Sequence, residues 1–196
     1  MMIMNLTKRQ LDILEASLEI INEGGIQSLT IKNIAKKVGI SEPAIYRHFE
    51  SKTKILLNIL DYFIVNNKRM IQQNLSKNNS IKEVIGNLFD NFINTFIQYP
   101  NLISVIFSEE IFRNDPVFKE KSNQIFKENY FLINNIIKKG QQTGEIDASL
   151  NPDTVVTIIM GSIRLCIKRW QMLNFQFDLK ESGQQLKETI LKILLK

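Results

Sequence analysis

The chain has 196 residues, 44% of them hydrophobic and 23% charged, a length and composition that suit one or two compact domains. Its eight glycines and four prolines are too few for a β-sandwich, which needs frequent turns, so we expect a mostly helical protein. The longest uncharged stretch, residues 91–108, is interrupted by Asn94, Gln98 and Pro100 and predicts no membrane-spanning helix. The N-terminus has no continuous apolar leader and the single Cys166 cannot form an internal disulfide, so we expect a cytoplasmic protein.

The first predicted helix begins at a capping signal near the N-terminus. Thr7 followed three residues later by Gln10 is typical of a capping box, in which each residue bonds to the backbone of the other. Apolar residues then recur at helical spacing until Gly24 and Gly25 end the pattern.

Two short helices follow, separated by a very short turn. Thr30 is predicted to cap the first of them, which Gly39 interrupts after about two turns. Ser41 is predicted to cap the second, where Pro43 occupies the first turn and loses no hydrogen bond. This arrangement predicts a helix-turn-helix, after which Ser51 caps a fourth helix.

The remainder of the chain predicts five more helices, for about nine in all. Their start signals include Ser80 with Glu83, Asn114-Asp115-Pro116 and Asn151-Pro152, and Gly140 lies near the end of one of them. The sequence therefore predicts an all-α fold with two domains, residues 1–50 and residues 51–196.

Positive charge is concentrated in the region of the predicted helix-turn-helix. Between Thr30 and Lys54, six positive residues stand against two negative ones, a local net charge of +4 in a chain whose total is +5. The positive residues are Lys32, Lys36, Lys37, Arg47, Lys52 and Lys54, and the negative ones are Glu42 and Glu50. A cationic surface beside hydroxyl and aromatic donors is expected of a protein that contacts phosphates, although a solvated lysine-rich helix face gives the same pattern.

The residue types needed for most kinds of catalysis are scarce. With one histidine and one cysteine, the chain cannot assemble a Cys/His zinc site of about four ligands. His48 stands in a basic, aromatic segment without a nearby activated nucleophile, which makes a Ser-His-Asp triad improbable. We therefore expect neither an enzyme nor a cofactor-dependent or metal-dependent protein.

Residues 29–52 read LTIKNIAKKVGISEPAIYRHFESK, and this run resembles the DNA-binding signature of the TetR/AcrR family of bacterial transcription regulators. The Thr-apolar-x-x-Ile-Ala start, the Gly-Ile-Ser turn and the Ala-Ile-Tyr-x-His-Phe-x-Ser-Lys end occur together at the family's spacing. The likeness is strong over residues 7–60. One departure is Thr53-Lys54, where an acidic residue is usual, so the fourth helix loses a favourable charge in its first turn.

The resemblance implies an N-terminal three-helix DNA-binding domain, with particular residues touching the operator. Those expected at backbone phosphates are Thr30, Ser41, Tyr46, His48 and Lys52. Those expected at base edges are Glu42, Ala44 and Arg47 on the third helix and Lys32 on the second. Tyr46 has the alternative of being a core residue with a bonded hydroxyl.

Aromatic residues are concentrated in the middle of the chain, where ten of seventeen lie between Phe89 and Phe131. Such residues are normally core, but the resemblance implies a ligand cavity among the central helices for a small apolar molecule. The expected lining residues are Phe92, Phe96, Phe107, Phe126 and Tyr130, with Glu110 or Arg164 as a polar anchor. A structural ion pair between Glu110 and Arg164 is the favoured alternative.

The last two helices carry more apolar residues than one face can bury in a monomer. The resemblance implies a homodimer in which these helices form a symmetric four-helix interface. The expected contacts are Gly161, Ser162, Leu179, Leu186, Ile190 and Ile193.

These features predict a repressor that a small, largely apolar ligand releases from a palindromic double-stranded DNA operator. Two alternatives remain open: a DNA-binding regulator controlled by a protein partner, and a helical carrier of apolar molecules. The carrier explains neither the charged segment nor the complete signature, and salt-dependent DNA binding would eliminate it.

Overall fold

The computed structural model describes residues 6–61, 79–100, 102–107 and 116–195, apart from the side chain of Ser122. Nine α-helices occupy these ranges, so the all-α fold class expected from the sequence is confirmed. They are α1 (Lys8–Gly24), α2 (Ile31–Val38), α3 (Glu42–Tyr46), α4 (described over residues 52–61), α5 (Ile81–Gln98), α6 (Leu102–Ile106), α7 (Pro116–Thr143), α8 (Pro152–Met172) and α9 (Leu179–Leu194). None of these described helices has the length and hydropathy that a membrane-spanning segment requires.

The chain divides into two compact units that interleave along the sequence. The first unit comprises Met1–Asn66 and Tyr99–Ser122, and the second comprises Asn67–Gln98 and Asn123–Lys196. Each unit contains two separate stretches of the chain, so the two units do not define a single boundary along the sequence. The domain boundary expected at residue 50 therefore stays a prediction.

Most of the capping signals are confirmed where the structure describes them. Thr7 Oγ1 accepts a hydrogen bond from the Gln10 amide at 3.2 Å, and Gln10 Oε1 accepts from the Thr7 amide at 3.0 Å, completing a capping box. Thr30, Ser51, Ser80 with Glu83, and Asn151 likewise cap α2, α4, α5 and α8. The predicted cap at Asn114-Asp115 lies outside the described residues, but Pro116 is the first residue of α7.

The first unit is built on α1, which packs against α2, while α2 packs against α3. Ile13, Ile34 and Ile45, one from each helix, are completely buried. Ser17 is also buried in α1, and its hydroxyl donates to the Ile13 carbonyl at 2.7 Å, so the apolar core contains no unsatisfied hydroxyl there. This small core fixes the orientation of the short helix α3.

The second unit contains a close crossing of α5 and α9. A Cβ atom added to Gly183 of α9 would lie 2.7 Å from Ile93 Cγ1 of α5, well inside van der Waals contact. Gly86 of α5 has ample room by comparison, because its nearest neighbour would be Lys187 Cδ at 3.9 Å. Gly183 therefore permits the two helices to approach at a place where a Cβ atom would force the Ile93 side chain to move.

We expect Gly183→Ala and Gly86→Ala to change stability in opposite directions. Alanine at position 86 should raise the free energy of unfolding by about 0.5–1 kcal/mol, because alanine is the better helix former. Alanine at position 183 has the same advantage in helix propensity but forces Ile93 to move. Overpacking of a core costs about 1–3 kcal/mol, so the free energy of unfolding should fall. Chemical denaturation of the two variants measures the difference, and equal midpoints would contradict the close crossing.

The turn between α8 and α9 has an unusual backbone. Asn174 and Phe175 adopt left-handed conformations with φ of 50° and 62°, which side-chain-bearing residues seldom do. The turn is held by the Phe175 amide, which donates to the Trp170 carbonyl at 2.8 Å, and by the Trp170 indole, which donates to the Phe177 carbonyl at 2.9 Å. The rings of Trp170 and Phe175 also pack edge to face, with centroids 4.6 Å apart. These contacts fix the end of α8, where Met172 is exposed.

Candidate nucleic-acid interface

The helix-turn-helix predicted from the sequence is formed by α2 and α3. Gly39 ends α2 in a left-handed conformation with φ of 74°, which glycine adopts without strain. Ser41 is extended, and α3 then begins at Glu42 with Pro43 in its first turn. Three residues, Gly39, Ile40 and Ser41, thus suffice to connect α2 to α3, as the Gly-Ile-Ser spacing predicts.

Most of the side chains expected at DNA lie on the surface of the first unit. Thr30, Lys32, Ser41, Glu42, Tyr46 and Arg47 are exposed, and Ala44, His48 and Lys52 are half-buried. Tyr46 is 52% exposed, which argues against the alternative that it is a core residue. Within the described part of the chain, the side chains of Lys32, Arg47 and Lys52 form no ion pair, so their charges are available to an anionic partner.

Two hydroxyl groups at the helix starts differ from each other. Thr30 Oγ1 accepts from the Asn33 amide at 3.1 Å, which leaves its O–H to donate outward. Ser41 occupies the N-cap position of α3, but its hydroxyl makes no capping bond, so the expected side-chain cap is wrong. Pro43 in the first turn lacks an amide hydrogen, and α3 is only five residues long, so few amides there require a cap. The phosphate contacts expected of both hydroxyls stay predictions.

One of the six cations in the charged segment is already paired. Lys37 Nζ lies 2.6 Å from Glu23 Oε1 and 3.0 Å from Glu19 Oε2, both on α1. The hydrogen bonds with Glu23 and then Glu19 raise the pKa of Lys37. This lysine joins α2 to α1 and contributes little to the cationic surface. The sequence pattern missed this role because the pairing depends on how α1 and α2 pack.

Lys52 lies in the first turn of α4, where backbone amides lack intrahelical partners and favour an anion. We expect Lys52→Ala to weaken binding to all DNA duplexes alike and to reduce the slope of log affinity against log salt concentration by about one. Lys54→Ala is the matched control, since Lys54 carries the same charge two residues away and is not an expected contact. Fluorescence anisotropy titrations at several salt concentrations measure both slopes, and an equal change in the two variants would contradict the Lys52 contact.

The residues expected to line a ligand cavity are in very different environments. In the second unit, Phe96 is 2% exposed, Phe92 and Tyr130 are half-buried, and Phe126 is 58% exposed and stacks on Tyr130 with centroids 6.1 Å apart. Phe107 belongs to the first unit and is half-buried. The ring of Phe126 is therefore not enclosed by the described residues of its own unit, and the cavity assignments stay predictions.

The expected polar anchors are also differently placed. Arg164 is exposed on α8, and its expected role as a polar anchor for the ligand stays a prediction. Glu110, its expected alternative partner, lies outside the described residues. A polar contact that the sequence did not indicate involves Asp153, which accepts hydrogen bonds from the Tyr130 hydroxyl and, at 2.8 Å, from Asn134 Nδ2. The hydrogen bond to Asp153 raises the pKa of Tyr130 and ties α7 to the start of α8.

A surface groove of about 560 Å³ lies between α5 and α9 in the second unit. It is lined by Asp90, Ile93, Asn94, Asp178, Lys180, Glu181, Gly183, Gln184 and Lys187. None of the expected ligand residues is among them, and Lys187 is paired with Asp90 at 2.7 Å. Its charged lining is unsuited to a largely apolar ligand.

Exposed apolar residues follow one face of α8, at helical spacing. We call Ile158, Gly161, Leu165 and Met172 the α8 stripe; Leu165 and Met172 are 68% and 74% exposed. The stripe lies on the face of the helix opposite buried Ile159, Ile163 and Ile167.

The expected dimer residues agree only partly with this surface. Gly161 is exposed and Ser162 half-buried on α8, while Ile193 is exposed and Leu186 half-buried on α9. Leu179 and Ile190 are only 2% and 5% exposed, so they have almost no surface left for a partner, and their assignment to the interface is corrected. Leu179, Leu186, Ile190 and Ile193 of α9 recur at helical spacing, and this apolar face packs in part inside the protomer.

Comparison with known proteins agrees with the helix-turn-helix geometry. The sequence pattern of "Bacterial regulatory proteins, tetR family" matches residues 13–59, and that of "YsiA-like protein, C-terminal region" matches residues 58–195. The chain is 23% identical over 171 residues to the fatty acid metabolism regulator protein of Bacillus subtilis (strain 168), covering 87% of this chain and 88% of the relative.

Solved structures with the same fold are also regulators. The crystal structure of the transcriptional regulator FadR from Bacillus subtilis in complex with stearoyl-CoA superposes with a TM-score of 0.80 at 23% identity, covering 93% of this chain and 98% of that one. The ketosteroid transcriptional regulator KstR2 of Mycobacterium tuberculosis gives a TM-score of 0.75 at 19% identity, covering 98% and 97%. The two sequence patterns together extend over most of the chain, which belongs to the TetR family of bacterial regulatory proteins.

Proposed function

We propose that this regulator is a homodimeric repressor that binds a palindromic operator and leaves it when a largely apolar ligand binds. The observation that carries the proposal is the exposure of the expected contacts on α2, α3 and the start of α4. Lys32, Arg47 and Lys52 form no ion pair with the described residues, and the side chains of Thr30, Ser41 and Tyr46 are exposed. The protein acts where the bacterial chromosome is, in the cytoplasm, and we assign it no catalytic role.

In the proposed complex, α3 of each protomer enters the major groove. Dimeric helix-turn-helix proteins place their recognition helices about 34–36 Å apart, which fits successive major grooves of a palindrome. Ala44 and Arg47 reach base edges, where arginine pairs with guanine and a methyl group contacts thymine, and Lys32 approaches from α2. Thr30, Ser41, Tyr46, His48 and Lys52 hold the phosphates on either side and fix the register of α3 on the duplex.

The proposed dimer interface is centred on the α8 stripe. An exposed apolar stripe on a helix is expected to be covered in the functional assembly, and Gly161 allows the partner's helix to approach closely. Ile193 and Leu186 of α9, which are exposed and half-buried, are proposed to belong to the same interface. This assignment replaces Leu179 and Ile190 by Leu165 and Met172 as the main apolar contacts.

The proposed ligand is a long-chain fatty acyl thioester. Its support is the similarity over 87% of the chain to a fatty acid metabolism regulator, whose species also supplies the FadR structure in complex with stearoyl-CoA. The dimer is proposed to have a second conformation in which the two recognition helices are too far apart for successive major grooves. A ligand that binds this conformation more tightly than the DNA-bound one shifts the population of dimers away from the operator. The size of the shift is limited by the difference between the two ligand affinities.

The test is fluorescence anisotropy with labelled DNA from the region upstream of the regulator's own gene. We expect tight binding that weakens steeply with salt, and release on addition of stearoyl-CoA at a concentration at which free coenzyme A has no effect. DNA binding without release by any acyl thioester would favour the second candidate, a regulator controlled by a protein partner. The absence of salt-dependent DNA binding would contradict the proposal as a whole and would favour the alternative of a helical carrier of apolar molecules.

A further inference from the structure

The side chain of Gln10 joins the start of α1 to the chain that leaves α3. Its Oε1 accepts hydrogen bonds from the Thr7 amide at 3.0 Å and the Thr7 hydroxyl at 3.2 Å, which forms half of the capping box. Its Nε2 donates to the carbonyl of His48 at 3.3 Å, across 38 residues of sequence. One half-buried amide group therefore serves two elements at once.

The His48 carbonyl lies at a point where the backbone needs support. Helix α3 ends at Tyr46, so the His48 carbonyl lies two residues beyond the helix, outside its regular hydrogen bonds. The amides of His48 and Phe49 both donate to the Ile45 carbonyl, at 2.9 and 3.0 Å, and Phe49 is buried, so the chain turns sharply into the core here. A helix of five residues is too short to hold its own conformation, and its end is positioned by tertiary contacts such as this one.

We propose that Gln10 is a positioning residue for operator binding, because its amide group holds the His48 carbonyl and thereby places the His48 side chain at the phosphate backbone. This inference rests on the proposed function, in which His48 contacts the operator. Gln10 itself does not touch the DNA in this arrangement.

The chemistry of the capping box separates the two tasks of Gln10. Glutamate is as suitable as glutamine at this position of the box, since only an oxygen acceptor for the Thr7 amide is needed. Glutamate has no N–H, however, and its second oxygen would face the His48 carbonyl oxygen, so attraction becomes repulsion. Gln10→Glu therefore preserves the cap of α1 and removes the bond to His48. Thr7→Ala does the reverse, because it weakens the cap and leaves the Gln10 amide group in place.

The experiment measures operator affinity and thermal unfolding of the full-length protein for wild type, Gln10→Glu, Thr7→Ala, His48→Ala and the double variant Gln10→Glu/His48→Ala. We expect Gln10→Glu to unfold near the wild-type temperature and to bind the operator about 3- to 10-fold more weakly, as for the loss of one hydrogen bond. We expect Thr7→Ala to lower the unfolding temperature and bind the operator as wild type does. In the His48→Ala background, the effect of Gln10→Glu should largely disappear.

Three results would overturn the proposal while leaving the proposed function intact: wild-type affinity in Gln10→Glu, an equal loss of affinity in Thr7→Ala, or an undiminished effect of Gln10→Glu without the His48 ring. Failure of the wild-type protein to bind DNA would instead overturn the proposed function and this inference with it.

Discussion

Leu165→Glu is expected to convert the regulator from a dimer to a monomer and to weaken operator binding by about 100-fold or more. Leu165 lies at the centre of the α8 stripe, where two copies of the chain would place two glutamates in an apolar interface and remove both charges from water. A monomer occupies one half-site at a time and loses the gain from linked binding, which is typically 10²- to 10⁴-fold. Light scattering measures the mass, and anisotropy measures the affinity.

Phe131→Glu is the matched control for that experiment. Phe131 is 63% exposed, nearly as much as Leu165, but lies on α7 rather than on the α8 stripe. The same change of charge at a similar exposure should leave the mass and affinity near wild type. A dimeric Leu165→Glu protein would place the interface elsewhere, and dissociation of both variants would extend the interface to α7.

Features that depend on neighbouring residues in the chain could be predicted from the sequence. The capping box of Thr7 and Gln10, the cap at Thr30 and the turn at Gly39 each follow from a side chain and a backbone within four residues of it. The spacing of these signals predicts the helix-turn-helix, and therefore the surface on which the expected DNA contacts lie. The local chemistry is specific enough to determine the local backbone.

Features that depend on how helices pack could not be predicted in this way. Lys37 belongs to the charged segment by sequence, but the packing of α2 on α1 pairs it with Glu19 and Glu23. Leu179 and Ile190 have the same apolar spacing whether they face the protomer's own core or a partner. The hydrogen bond from Gln10 to His48 could likewise not be predicted from the sequence, because it joins residues 38 positions apart. Periodicity identifies an apolar face but not what covers that face.

Phe96→Ala and Phe126→Ala are expected to separate core from surface among the central aromatic residues. Phe96 is 2% exposed on α5, and truncating a buried phenylalanine costs about 3–5 kcal/mol of unfolding free energy. Phe126 is 58% exposed and stacks on Tyr130, so its truncation removes about 0.5–1.5 kcal/mol at most. Thermal or denaturant unfolding of both variants measures these losses.

The same two variants test whether an acyl ligand uses these rings. A ligand that binds only the folded protein raises the free energy of unfolding, and with it the unfolding temperature, with the logarithm of the ratio of ligand concentration to dissociation constant. If Phe126 forms part of the binding surface for an acyl chain, stearoyl-CoA should stabilise the wild type and stabilise Phe126→Ala much less, although the two proteins have nearly equal stability without ligand. An equal shift in both would exclude Phe126 from the ligand site. A loss of stability in Phe96→Ala well below about 3–5 kcal/mol would show instead that its ring lines a space that the free protein leaves unfilled, because removing a ring from a filled core costs that much.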